Sequence, residues 1–189
     1  MIENEFKIML TSEQYEKLLS QYKWDKTVVQ TNHYYDTDDL RLSDAHITCR
    51  VREIDGSYFL QMKFPAAREY SRVELEKPLS ALPETISADD LLKSDGHDAL
   101  PDVKRLGALT TTRSIKRFNG AEIDLDKSEY FGITDFELEI EFTDETAARS
   151  LLAEITEKLS LQPNSEVCTG KIRRFLEEYA RQKQQIFSL

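Results

Sequence analysis

The sequence of 189 residues has few cysteines, no long apolar run and no excess of positive charge. Its two cysteines, Cys49 and Cys168, fit neither a metal-binding spacing nor a disulfide framework. No run approaches the roughly 18 apolar residues of a membrane-spanning helix, and the acidic start lacks the pattern of a signal peptide. The net charge of −10 disfavours binding to nucleic acid or to an anionic membrane. We therefore expect a cytoplasmic protein with no nucleic acid and no membrane as a partner.

The sequence also lacks the common motifs that bind phosphate through a glycine-rich loop or metal through paired histidines. The segment from Asp124 to Glu129 is superficially similar to a calcium loop, but Glu129 stands where the sharp turn requires glycine. Any phosphate or metal chemistry must therefore depend on other side chains.

The composition is typical of a globular protein, since 40% of the residues are hydrophobic and 32% are charged. The length predicts a single domain over residues 1–189. Alternation of polar and apolar residues predicts eight strands, at 2–9, 27–35, 46–54, 57–64, 70–77, 108–118, 121–127 and 134–142.

Helical spacing of apolar residues appears between and after these strands. A capping box of Thr11 and Gln14 predicts the start of one helix, Thr143 is expected to cap a second, and a last helix is expected from about Lys171. Residues 78–107 lose the alternation, and we interpret them as a connector around a short helix that Ser87 caps.

Charged residues share one face on nearly every predicted strand, because side chains two apart point to the same side. These residues are Glu3, Glu5 and Lys7; Arg50 and Arg52; Arg72, Glu74 and Glu76; Arg113 and Arg117; Glu122, Asp124 and Asp126; Glu137, Glu139 and Glu141. One interpretation is an antiparallel sheet whose polar face lies in water. The other is an α+β fold, a closed eight-stranded antiparallel barrel with helices packed outside and the charges inside. Buried carboxylates and arginines would then need ligands, and a metal-bound polyphosphate satisfies both.

Several motifs on these faces resemble, in order and character, those of the CYTH proteins, the triphosphate tunnel metalloenzymes. The segment from Glu3 to Lys7 is similar to their Glu-x-Glu-x-Lys signature. The other matches, which bring the resemblance to about residues 1–175, are Tyr34-Tyr35-Asp36-Thr37, Arg50-Val51-Arg52, Leu60-Gln61-Met62-Lys63, Arg72-Val73-Glu74-Leu75-Glu76, Arg113, Asp126, Glu137-Leu138-Glu139-Ile140-Glu141 and Lys171. Two departures are Thr111, where the family often has a basic residue, and Gly170, where it often has serine.

The resemblance implies a tunnel in which triphosphate compounds are hydrolysed with Mg²⁺ or Mn²⁺. The residues expected to bind the metal are Glu3, Glu5, Asp126, Glu137, Glu139 and Glu141. Those expected to bind the triphosphate are Lys7, Arg50, Arg52, Arg72, Arg113, Arg117 and Lys171. For Glu74 and Glu76 we favour the orientation of an arginine over direct metal binding.

Lys63 and Tyr34 are the candidate catalytic residues. Lys63 follows the strand of Arg50 and Arg52 across a hairpin, and neighbouring cations favour loss of its proton, as a general base requires. Tyr34 is expected to hydrogen-bond to Lys63 or to orient the attacking water.

The expected function is hydrolysis of inorganic tripolyphosphate, or of a nucleoside or thiamine triphosphate, with release of phosphate. Two alternatives remain: a non-catalytic module that binds triphosphate or polyphosphate, and an adenylate cyclase. The expected partner is a small-molecule triphosphate, and assembly into a homodimer is left open.

Overall fold

The computed structural model describes residues 2–66, 71–97, 99–160 and 169–186. In these ranges the strands are β1 (Ile2–Leu10), β2 (Lys26–Asp36), β3 (Thr48–Ile54), β4 (Ser57–Pro65), β5 (Ser71–Leu79), β6 (Thr85–Ile86), β7 (Val103–Phe118), β8 (Ala121–Tyr130) and β9 (Ile133–Phe142). The helices are α1 (Ser12–Gln21), α2 (Arg41–Asp44), α3 (Glu145–Leu159) and α4 (Lys171–Ile186).

The strands form one sheet in the order β2-β3-β4-β5-β1-β9-β8-β7-β6, and β2 also pairs with β7. The pairs β1–β9, β2–β3, β3–β4, β4–β5, β6–β7 and β8–β9 are antiparallel. The predicted α+β class with an antiparallel sheet is therefore confirmed. The described residues contain nine strands instead of the predicted eight, because β6 lies in the segment that was interpreted as a connector.

The chain divides into two compact units. The first unit contains Met1–Glu3, Gln30–Thr110 and Lys171–Leu189, and the second contains Asn4–Val29 and Thr111–Gly170.

The core of the first unit lies on the apolar faces of β3 and β4. Val51, Leu60, Met62 and Phe64 are fully buried there. The two strands are joined by the tight turn at Asp55-Gly56, where both residues have positive φ, as a tight hairpin turn requires.

The core of the second unit lies between its strands and the helices α1 and α3. Its members on the strands are Ile8, Leu10, Ala121, Ile123, Leu125, Leu138 and Ile140, and those on the helices are Tyr15, Leu18, Ala148, Leu151, Ile155 and Leu159. The helices cover the apolar face of these strands, which leaves the alternate, charged positions on the opposite face.

The predicted capping box of α1 is confirmed. The Gln14 backbone N–H donates to Thr11 Oγ1 at 3.2 Å, and the Thr11 N–H donates to Gln14 Oε1 at 2.8 Å. These two bonds satisfy N–H groups that have no partner inside the helix.

The prediction that Thr143 caps α3 is wrong by one residue. Asp144 is the cap, and its Oδ1 accepts the N–H groups of Thr146 and Ala147 at 2.9 and 3.2 Å. The Thr143 and Asp144 N–H groups donate to the carbonyl oxygen of Gly120 in the β7–β8 turn, each at 3.0 Å. A Cβ on Gly120, whose φ is +80°, would lie 2.8 Å from the Asp144 Cβ, so this turn requires glycine.

Two further predictions about residues 78–107 are wrong. The segment after Ser87 forms a turn, in which the Ser87 carbonyl accepts the Asp90 N–H at 3.0 Å, and not a helix. Strand β7 begins at Val103, five residues before the predicted 108, because Val103 and Lys104 pair with β6. Tyr70 and Cys168 lie outside the described residues.

Helix α2 was not predicted. The buried Asp36 carboxylate accepts the backbone N–H groups of Thr37, Leu42 and Ser43 at 2.7, 2.9 and 2.9 Å. A side chain before the helix thus supplies the hydrogen bonds that such a short helix lacks. Among the described residues, none of the helices combines the length and the apolar character needed to cross a membrane.

Candidate functional site: two charged clusters

The second unit contains a group of carboxylates with two cations, which we call the acidic cluster. The members are Glu5, Glu122, Asp124, Asp126, Glu137, Glu139 and Glu141, with Lys7 and Arg113. Strand pairing places them in three rows: Glu5, Glu141 and Glu122; Lys7, Glu139 and Asp124; Glu137 and Asp126. The register of β1, β8 and β9 therefore brings together acidic residues from distant parts of the chain.

Lys7 lies between two carboxylates. Its Nζ is 2.9 Å from Glu139 Oε1 and 3.1 Å from Glu5 Oε1. Burial by itself would lower the pKa of Lys7, but Glu139, Glu5 and Glu137 together raise it above its ordinary value. Lys7 is therefore charged, and it neutralises part of the acidic cluster.

Arg113 is the second internal cation of the cluster. Its Nε and Nη2 donate to the two carboxylate oxygens of Asp126 at 2.8 and 2.7 Å, and its other bonds reach Asp124 and Glu139. Burial opposes the charge, but Asp126 and Glu139 hold the pKa of Arg113 well above its ordinary value. Only 14% of the side chain is exposed, so this arginine is enclosed by the carboxylates that it binds.

The acidic cluster fits a divalent cation. In two sets of three residues, each residue offers one carboxylate oxygen, and the three oxygens lie within 4.8 Å of one another. The first set is Glu5, Glu139 and Glu141, and the second is Glu122, Asp124 and Glu141. Asp124 Oδ1 is buried and has no hydrogen-bond partner within the described ranges. An oxygen-only set of ligands suits Mg²⁺ or Mn²⁺.

The ionisation of Asp124 reflects its burial. Loss of solvent raises the pKa of Asp124 to about 7; Arg113 lowers it, while Glu141, Asp126 and Glu139 raise it. A divalent cation beside this carboxyl would favour its ionised form.

The first unit contains a group rich in cations, which we call the basic cluster. The members are Arg50, Arg52 and Lys63, with Asn32, Gln61, Glu74 and Glu76. Arg50 Nε donates to Gln61 Oε1 at 2.7 Å, and Arg52 Nε donates to Asn32 Oδ1 at 3.2 Å. Each arginine is thus held at Nε by a neutral amide on a neighbouring strand.

The carboxylates of β5 contact the cations of this cluster. Glu74 Oε2 is 3.2 Å from Lys63 Nζ, and Glu74 Oε1 is 3.7 Å from Arg50 Nη2. Glu76 accepts a hydrogen bond from the Gln61 amide, so it reaches Arg50 through Gln61. Glu74 thus contacts both Lys63 and Arg50, whereas Glu76 contacts Gln61.

The remaining predicted residues lie in different settings. Tyr34 is 1% exposed and packs against Phe175 of α4, with ring centroids 4.8 Å apart. Arg72 is exposed, and Lys171 is half-buried at the start of α4. Arg117 is 70% exposed and pairs with Glu122. Glu3 belongs to β1, but its side chain lies outside what the structure describes.

Sequence reasoning missed four residues of these clusters as site residues. Glu122 and Asp124 were on the charged face but were not among the metal ligands, although their alternation with Asp126 was a usable signal. Asn32 and Gln61 carry no charge, so a search for charged faces passes over them.

Comparison with known proteins gives consistent matches over nearly the whole chain. A model of the CYTH domain family matches residues 1–175. A Bacillus subtilis (strain 168) protein named "Putative triphosphatase YjbK" is 32% identical over 188 residues, which cover 94% of this chain and 95% of that protein. The crystal structure of a "putative adenylate cyclase" from Bacillus halodurans matches with a TM-score of 0.73 and a sequence identity of 27%. The match covers 92% of this chain and 96% of that chain. A "putative adenylyl cyclase" from Hippeastrum, described as having a dominant triphosphatase activity, matches with a TM-score of 0.69 and a sequence identity of 22%. That match covers 94% of this chain and 95% of the other.

Proposed function

Since the chain belongs to the CYTH domain family, we propose that it is a divalent-metal-dependent hydrolase of triphosphate compounds. The observation that carries this proposal is the acidic cluster, in which two carboxylate sets share Glu141 and include Asp124, whose buried Oδ1 has no partner among the described residues. The substrates proposed are inorganic tripolyphosphate and nucleoside or thiamine triphosphates. The name of the Bacillus subtilis relative supports the same activity.

The proposal includes closure of the long strands into a barrel that forms the tunnel. In the strand order, β2 and β7 stand at the two ends of a run of eight strands, and they pair with each other. Two bonds support this pairing: the Asp25 N–H donates to the Ile115 carbonyl at 2.9 Å, and the Thr31 and Thr110 hydroxyls are 3.0 Å apart.

The two clusters would supply complementary chemistry. Glu5, Glu139 and Glu141 would hold Mg²⁺ or Mn²⁺, with Asp126, Glu137 and Glu3 as the other proposed acidic residues. When bound, the metal neutralises phosphate oxygens and activates water. The cations proposed to hold the triphosphate are Arg50, Arg52, Arg72, Lys7, Arg113, Arg117 and Lys171. Arginine suits this task because it makes two parallel hydrogen bonds to phosphate.

Lys63 is the proposed general base, and Tyr34 the residue proposed to assist it. Loss of a base lowers kcat and removes the rising limb of the pH profile, whereas loss of a phosphate clamp chiefly raises KM. We expect Lys63→Ala to show the first pattern at saturating metal. A variant with wild-type kcat, an unchanged profile and a raised KM would contradict the role as base.

An adenylate cyclase is the second candidate, because the Bacillus halodurans relative carries that name. The two reactions on ATP differ in their products, since a cyclase releases pyrophosphate and cyclic AMP while a hydrolase releases inorganic phosphate. Chromatography of the nucleotide products separates them.

The central experiment measures phosphate release from tripolyphosphate, ATP and thiamine triphosphate, with Mg²⁺, with Mn²⁺ and with EDTA. We expect release that EDTA abolishes. Glu5→Gln should lower turnover sharply at subsaturating Mg²⁺, while Glu13→Gln, which removes an exposed charge on α1, should match the wild type. Binding of tripolyphosphate without any turnover would instead support a non-catalytic binding module.

A further inference from the structure

The side chain of Gln61 connects a cation and an anion of the basic cluster. Its Oε1 accepts from Arg50 Nε at 2.7 Å, and its Nε2 donates to the carboxylate of Glu76. Gln61 is only 4% exposed, so it does not exchange these partners freely with water. Both ends of the amide therefore have a defined partner.

Strand pairing fixes this arrangement. Gln61 lies on β4, directly opposite Arg50 on β3 and directly opposite Glu76 on β5. Its donation to Glu76 sets which end of the amide is the nitrogen, so the oxygen faces Arg50. The register of three strands thus determines the donor and acceptor pattern at Arg50.

A neutral partner at Nε has a specific electrostatic consequence. A guanidinium has five N–H donors, and a bond at Nε restrains the plane while the terminal nitrogens keep their own donors. A carboxylate in the same position would also restrain the plane, but it would cancel the charge that attracts an anion. Gln61 also lies between Arg50 and Glu76. The Glu76 carboxylate accepts its hydrogen bond from the Gln61 amide, and the Arg50 Nε donates to the other end of that amide.

The same pattern recurs at the neighbouring arginine. Arg52 Nε donates to Asn32 Oδ1 at 3.2 Å, and Asn32 is 1% exposed and lies directly opposite Arg52. A buried neutral amide therefore restrains each of the two arginines, one from β4 and one from β2.

We propose that Gln61 is a positioning residue that holds the Arg50 guanidinium for a phosphate group of the substrate and keeps it apart from Glu76, with Asn32 acting in the same way on Arg52. This inference rests on the proposed function and adds two residues to it. Neither amide needs to touch the substrate, because each acts through its arginine.

The test compares Gln61→Met, which removes the acceptor, with Gln61→Glu, which keeps an acceptor and adds a charge. We expect each variant to raise KM for tripolyphosphate about tenfold at pH 8 while kcat stays within about twofold, since binding and not chemistry is affected. Gln21→Glu, which adds the same charge at an exposed position of α1, serves as the control and should leave KM unchanged.

Two readouts separate positioning from a general structural defect. In an Arg50→Met background the Gln61→Met substitution should have no further effect on KM, because the effect passes through Arg50. In Gln61→Glu, the two carboxyls at positions 61 and 76 favour uptake of one proton, which removes the added charge. The KM ratio of Gln61→Glu to wild type should therefore fall toward one between pH 8 and pH 5.5, whereas the ratio for Gln61→Met should stay constant.

The outcomes are distinguishable. Wild-type turnover with an unchanged KM in Gln61→Met overturns this inference alone, as does an equal KM increase in the Arg50→Met background. A wild-type protein that neither hydrolyses nor binds tripolyphosphate overturns the proposed function and this inference with it. Unfolding curves in urea identify a variant that fails to fold, and in that case Asn32→Leu with Arg52→Met provides the same cycle.

Discussion

Arg50 in the first unit and Arg113 in the second both lie near carboxylates, with Glu74 Oε1 3.7 Å from Arg50 Nη2, but they have different partners at Nε. A neutral amide holds Arg50 at Nε, whereas the carboxylate of Asp126 holds Arg113 at Nε and Nη2. Arg113 also pairs with Asp124 and Glu139, so its charge balances part of the acidic cluster. The comparison teaches that the partner at Nε affects how much of an arginine's charge is already balanced before an anion binds: a neutral amide leaves that charge in place, whereas a carboxylate balances it.

The largest effect is expected from Arg113→Met. Removing this cation leaves buried carboxylates without their partner, which typically costs about 3–5 kcal/mol. We expect the free energy of unfolding, measured in urea without metal, to fall by that amount. Arg117→Met, at a position that is 70% exposed, should change it by less than about 0.5 kcal/mol. A loss below about 1 kcal/mol for Arg113→Met would mean that its ion pairs are not what holds the cluster.

The second effect concerns pH and Asp124. Its pKa is about 7 in the folded protein, above its ordinary value of 3.8, so the folded state binds the proton more tightly. The stability that Asp124 contributes is therefore complete below pH 3.8 and is lost as pH rises through about 7. Asp124→Asn should remove this loss of stability. For one proton, the loss changes the free energy of unfolding by at most about 1.4 kcal/mol per pH unit.

The measurement is the free energy of unfolding of metal-free protein between pH 5 and pH 7, with Asp102→Asn, an exposed position of the first unit, as the control. The difference between Asp124→Asn and wild type should shift in favour of the variant as pH rises. A constant difference over this range would show that Asp124 is already ionised at pH 5.

The third prediction concerns Arg50→Lys. An ammonium keeps the charge but lacks the Nε group that Gln61 binds and cannot make two parallel bonds to phosphate. We expect tripolyphosphate to bind about tenfold more weakly by calorimetry. Lys93→Arg, an exposed substitution in the first unit, controls for the exchange of one cation for another. Equal affinity of Arg50→Lys would argue that only the charge at this position matters.

The smallest effect is expected from Lys7→Met. Lys7 occupies the space beside Glu5 and Glu139, two of the proposed metal ligands, and its charge opposes that of a cation. Removing it should tighten Mn²⁺ binding to substrate-free protein by about threefold, measured by calorimetry. Lys116→Met, which removes an equal charge at the contact with Asp25, should have little effect. Weaker Mn²⁺ binding in Lys7→Met would place the metal away from these two carboxylates.

The features of this fold that follow from local rules could be predicted. The capping box at Thr11 and Gln14 depends on four consecutive residues, and it is confirmed. The charged faces of β1, β8 and β9 follow from alternation, because every second side chain on a strand points to the same face. Membership of the CYTH family was predicted from the resemblance of motifs on these strands to those of that family, and it is confirmed.

The features that depend on distant partners could not be predicted. The extension of β7 to Val103 depends on its pairing with β6, and the helix at Arg41–Asp44 depends on the carboxylate of Asp36. The bond from Gln61 to Arg50 depends on the register of β3 and β4, which alternation alone does not determine. The assignment of individual side chains to metal, phosphate and catalysis remains a prediction.

The contact between Gly120 and the start of α3 connects the β7–β8 turn with this helix, so we expect the turn and the first residues of the helix to unfold together. The Thr143 and Asp144 amides donate to the Gly120 carbonyl, so they are shielded from exchange with deuterium only while the β7–β8 turn is closed. Opening the turn therefore also releases the residue that caps the helix. A peptide inserted between Asn119 and Gly120 would loosen α3 although it lies outside the helix, which makes this turn a poor place to attach a tag.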